Sequence, residues 1–171
     1  MSEKTHIVKS DNLTIVQPEF IDDLRQMIDE ARRFVAATVN TGLTMLYWRV
    51  GKRINDEILQ GDRAEYGKQI LATVSQELSL QYGNGFSEKN LRHMLRFTDA
   101  FSDDQIVYAL SRKLSWTHFR TIIYLDDQLK RDFYAEMCRV ENWSTRTLQK
   151  KIDSMLYERT ALSKKPEELA N

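Results

Sequence analysis

The 171-residue sequence contains one cysteine, Cys138, two prolines and six glycines. A single thiol cannot close an intrachain disulfide, so the framework of a small secreted domain is excluded and a reducing compartment, the cytoplasm, is the expected location. So few turn formers cannot punctuate the many short strands of a β-sandwich or barrel, whereas long helices need few of them. No run approaches the ~18 apolar residues of a membrane span. The opening MSEKTHIVKSDN has no apolar core of a secretory leader. No membrane partner is therefore expected. Net charge is absent too: 25 basic side chains balance 25 acidic ones, so a nucleic-acid-binding role has to rest on local asymmetry.

What is present is a helical pattern. Apolar residues recur in steps of three and four from Phe20 through Leu24, Met27, Ile28, Ala31, Phe34 and Val35 to Ile54 and Ile58, giving one long helix over 18–60. Pro18 suits a first helical position, and Glu19, Asp22 and Asp23 suit the positive end of the helix dipole. Gly42 and Gly51 weaken the helix without shifting its phase, and a helix of this length either bends near Gly42 or offers part of its stripe to a second chain. A second helix fits 63–82 and ends at Gly83-Asn84-Gly85, where left-handed backbone is tolerated. Residues 1–17 read as a flexible arm, and 161–171 as a polar linker.

The remainder repeats one local device. An apolar residue precedes a serine that can cap a helix, and another apolar residue follows four positions after it: Phe86-Ser87…Leu91, Leu114-Ser115…Phe119 and Trp143-Ser144…Leu148. This predicts helices over 87–101, 115–125 and 144–160, with others over 103–111, capped by Ser102 or Asp103, and 126–141, capped by Asp126. The expected fold is therefore all-α: a long N-terminal helix followed by a compact multi-helix, helix-turn-helix-like bundle over 18–160.

No motif for catalysis stands out. His6, His93 and His118 form no metal-ligand spacing with one another or with Cys138. The paired acids Asp22-Asp23, Asp103-Asp104 and Asp126-Asp127 each fall at a predicted helix start, where the dipole accounts for them. Cys138 reads as a small packed hydrophobe. No cofactor and no metal are expected.

The stretch QIVYALSRKLSWTHFR, residues 105–120, fits a helix-turn-helix: Ala109 as the small residue of the first helix, Leu114 before the second, and Phe119 as its anchor. Arg112 and Lys113 depart from the usual apolar–glycine turn, and Lys113 requires either a different turn or a left-handed backbone. On this fit Trp116, Thr117, His118 and Arg120 lie near the start of the second helix, where Arg120 can reach guanine or phosphate. The opposing reading packs Trp116 and His118 inside, with His118 satisfied by a backbone carbonyl. Lys89, Arg92 and Arg96 form a basic stripe on the 87–101 helix, and Arg146 and Lys150, beside Lys151, form another on the last helix. With Arg112 and Lys113 these are the candidate nucleic-acid-binding residues.

The segments LYWRVGKRI (46–54), AEYGKQIL (64–71), GNGFSEKNLRHMLRF (83–97), LSWTHFRTII (114–123) and NWSTRTLQKKIDSMLYERT (142–160) together resemble the N-terminal domain of the YhcG-type bacterial proteins. The resemblance implies a helix-turn-helix-like, DNA-binding N-terminal domain joined to a C-terminal nuclease domain of the PDDEXK superfamily, with a role in DNA metabolism or defence against mobile DNA. No Asp…Glu-x-Lys metal set is found in this sequence, which stops at Asn171 where that nuclease domain is expected to start, so its cleavage chemistry carries over to no residue here. Two binding roles stay open: DNA as partner, with the module delivering the nuclease, or a homodimer or protein partner docked through the 18–60 helix.

Overall fold

A computed structural model describes residues 17–59 and 64–163. The expected arm over 1–17 lies outside the described residues apart from Gln17, as does the expected linker over 161–171 apart from residues 161–163. Every regular element among the described residues is helical: α1 (Pro18–Leu59), α2 (Ala64–Tyr82), a 3-10 turn (Asn84–Phe86), α3 (Glu88–Ala100), α4 (Asp104–Ser111), α5 (Trp116–Ile122), α6 (Gln128–Glu141), α7 (Thr145–Asp153) and α8 (Leu156–Ser163). The chain divides into two units, residues 1–35 and 36–171. The described part of the first unit is the start of α1. The second holds the rest of α1 and all later helices.

The long helix is unbroken at Gly42, and ion pairs one turn apart, Lys52–Asp56 and Arg53–Glu57, support its exposed side. Gly83 takes a left-handed φ of 86°, the freedom its loop requires. The three serine devices close as the spacing implies: Leu91, Phe119 and Leu148 are all fully buried. Ser87 and Ser144 accept from the backbone N–H of Asn90 and Thr147 at 3.4 and 3.1 Å. Asp103 caps α4 through the N–H groups of Gln105 and Ile106. α6 is capped by Asp127, not by Asp126 as expected, because the helix starts one residue later.

Two further expectations need correction. The predicted 144–160 helix is two helices, divided at Ser154-Met155, where Met155 is left-handed at φ 53°. The buried Tyr134 hydroxyl enters the break, donating to the Lys151 carbonyl at 3.3 Å and accepting from the Tyr157 N–H at 3.2 Å. The helix-turn-helix fit also fails at its small residue. Ala109 is exposed, and Phe119 anchors instead against Phe97 and Phe101, with ring centroids 4.7 and 5.5 Å apart. Lys113 avoids left-handed backbone by a different turn, in which its N–H and that of Leu114 both reach the Leu110 carbonyl. Two carbonyls of this turn, those of Ser111 and Leu114, accept from the Asn40 side chain at 2.7 and 2.9 Å.

In the second unit one apolar cluster gathers Trp48, Phe97, Phe101, Leu114, Phe119, Tyr134 and Leu148, and another gathers Ile54, Leu71, Leu91 and Met94. α1 meets α3 between them. Gly51 is buried, and a Cβ there would overlap the Met94 carbonyl. Trp48 donates its indole N–H to the Phe101 carbonyl at 2.7 Å, and Asn55 donates to Thr98 Oγ1 at 2.7 Å.

Gly51→Ala should therefore cost at least ~2 kcal/mol, because the backbone opposite cannot yield as a side chain would. Gly42→Ala, whose Cβ meets nothing within 4 Å, should stabilise by about 0.5–1 kcal/mol through helix propensity. Urea unfolding of both variants checks the contrast.

Candidate nucleic-acid interface

α3 turns Leu91, Met94, Phe97 and Thr98 into the protein and leaves Lys89, Arg92 and Arg96 exposed on its other side. α5 is fixed to it by the Phe97–Phe119 contact and buries His118, Phe119 and Ile122, leaving Thr117 exposed and Arg120 and Thr121 half-buried. Basic side chains from the two helices meet around His93. Its Nδ1 lies 2.6 Å from the Tyr124 hydroxyl. Arg96 donates through Nε to the Ile123 carbonyl at 2.9 Å and stacks its guanidinium over the Tyr124 ring at 4.6 Å. Burial, then the charges of Arg120 and Lys89, hold the His93 imidazole below its usual 6.5 and keep it neutral. Two buried nitrogens of this group, His93 Nε2 and Arg120 Nε, have no hydrogen-bond partner among the described residues.

Lys89, Arg96 and Arg120 thus come together, with Arg92 beside them on α3 and paired to Glu88. The other basic candidates lie on elements that carry no member of this group. Arg112 is exposed at the end of α4, and Arg146 and Lys150 are exposed on α7. Lys113 donates to the side chain of Asn142, the left-handed residue that ends α6, at 3.1 Å.

His118 and Trp116 leave the expected set. His118 is buried: its Nδ1 accepts from the Ser115 N–H at 3.0 Å, and its Nε2 lies 2.8 Å from the Trp143 carbonyl. The ring therefore closes the start of α5 and ties it to the segment before α7. Trp116 is half-buried between Tyr47 and Phe97, with ring centroids 5.1 and 5.3 Å away. Two members of the basic group, His93 and Tyr124, belong to no motif. The available signal was their spacing, four residues after Lys89 and four after Arg120.

Cys138 is buried, and desolvation pushes its thiol up to about 12, which keeps it a thiol and a poor nucleophile. No group of three His, Cys, Asp or Glu side chains placed to hold a metal ion occurs among the described residues. Among them, too, no helix is long and apolar enough to cross a membrane.

His93 sets a pH dependence. Folding disfavours its charged form, so its contribution to stability is present above 6.5 and is lost as pH falls below that value towards the folded pKa. The urea midpoint should drop between pH 7 and 5, and His93→Gln should flatten that drop.

The family described as DUF1016 N-terminal domain matches residues 23–159. The chain is 29% identical over 184 aligned residues to an Escherichia coli (strain K12) protein named "Putative nuclease YhcG", an alignment covering 90% of this chain and 49% of that protein. The chain thus spans about half the length of the curated relative it matches. No solved structure matches it.

Proposed function

We propose, because the chain belongs to the DUF1016 N-terminal domain family, that its helical region over 18–160 is a non-catalytic module that binds nucleic acid, DNA foremost, and positions a nuclease domain on its substrate. The relative's name supplies the nuclease association, and the length it has beyond this chain leaves room for a C-terminal catalytic domain. The observation that carries the binding reading is the meeting of Lys89, Arg96 and Arg120 from two helices around a neutral His93. Backbone phosphates are the natural ligands of such a group. Thr117 and Thr121, on the outer side of α5, add hydroxyls that can bond to phosphate or to base edges.

The contact uses the outer surfaces of α3 and α5 rather than a tryptophan and a histidine pushed into a groove, since those two are committed to packing. Arg112, Lys113, Arg146 and Lys150 form a second set that extends the contact if a longer duplex reaches them. The single buried thiol fits a reducing cytoplasm.

A mobility-shift titration with a short duplex tests this. Affinity should fall steeply with salt, about 0.9 log units per log of salt for each phosphate neutralised. Lys89→Ala with Arg120→Ala should weaken binding about tenfold or more at low salt and lower the slope by about two. Unaltered binding in that double variant would overturn the assignment to α3 and α5. Tighter binding of RNA of the same length would replace DNA as the partner.

A further inference from the structure

The first unit carries an apolar face with no second element among its described residues to cover it. Phe20, Leu24, Met27 and Ile28 stand at i, i+4, i+7 and i+8 on α1, each between 40% and 66% exposed. This is the spacing of a helix whose anchors enter a groove.

The second unit holds a groove of the opposite kind. It is about 660 Å³, between α1 and α2, lined by the apolar Ile54, Ile70, Val74 and Leu78 and by the charged Arg49, Arg53 and Glu57. Arg49 and Arg53 are exposed, and Arg53 shares its charge with Glu57 at 2.8 Å. The 18–35 segment of α1 is acidic on balance, with Glu19, Asp22, Asp23, Asp29 and Glu30 against Arg25, Arg32 and Arg33, and Arg25 is itself paired to Asp22 at 2.9 Å. One chain therefore carries both halves of a pair: an apolar helix face that is acidic on balance and an apolar groove whose charged lining, two arginines and one glutamate, is basic on balance.

We propose that two copies of the chain associate reciprocally, the 18–35 helix of each seating Phe20, Leu24 and Met27 in the α1–α2 groove of the other. Such an exchange closes on itself with two-fold symmetry and uses each surface once. It is independent of the nucleic-acid reading, because none of its residues belongs to the α3–α5 group.

Light scattering on the full chain at micromolar concentration tests it. The wild type should be a dimer. A helix variant, Leu24→Glu with Met27→Glu, and a groove variant, Val74→Glu, should each raise the dimer dissociation constant at least ~100-fold. Circular dichroism checks that both keep their helix content. If Val74→Glu unfolds, Arg49→Glu with Arg53→Glu serves as the groove variant. Mixing the helix and groove variants should restore a heterodimer, since one of the two helix–groove contacts is then intact. A monomeric wild type would overturn the proposal. So would a dimer indifferent to the groove variants, or a mixture that stays monomeric, as expected if two α1 helices simply pair with each other.

Discussion

The close approach of α1 and α3 at Gly51 is the constraint on which the second unit depends. A helix cannot carry another backbone against its own surface unless the residue at the contact lacks a Cβ, and Gly51 faces the Met94 carbonyl directly. Trp48 and Asn55, one turn to either side, add hydrogen bonds to Phe101 and Thr98 worth about 1 kcal/mol each. Glycine sets the distance, and the two polar side chains set the register. The apolar clusters on both sides of the crossing then fill from α3 outward.

That crossing also decides what the surface can do. With one side of α3 committed to α1, the stripe Lys89, Arg92 and Arg96 has to face away. Phe97 passes the constraint on to α5 through Phe119, and this places Arg120 beside the same stripe. The basic group is thus a product of packing, and a chain with no net charge still concentrates positive charge locally. Its cost appears in His93, which stays neutral among cations, and in buried nitrogens left without partners among the described residues.

Features decided within a few residues were legible in the sequence. The caps at Ser87, Asp103 and Ser144 and the buried residues four positions after each serine follow from local bonding, and the long α1 follows from its spacing. Features decided by a distant partner were not. Gly51 looked like a weakness in a helix because Met94 is far along the chain. The break at Met155 depends on a hydroxyl from Tyr134, and Ala109 matched a motif whose partner helix here anchors elsewhere. His118 carried the opposite ambiguity: its type suits a groove, yet the Ser115 N–H and the Trp143 carbonyl hold it inside. The basic stripe on α3 was visible as spacing, but its meeting with Arg120 required the fold.

Membership of a family with a nuclease-named relative gives the module a context, and the proposed contact lies on the outer surfaces of α3 and α5. The most direct measurement is amide chemical-shift mapping of the isotope-labelled chain during titration with a short DNA duplex. The account predicts salt-sensitive shifts concentrated at residues 89–96 and 117–124. Shifts confined to α6–α8, or none at a duplex concentration that saturates other basic modules, would contradict it.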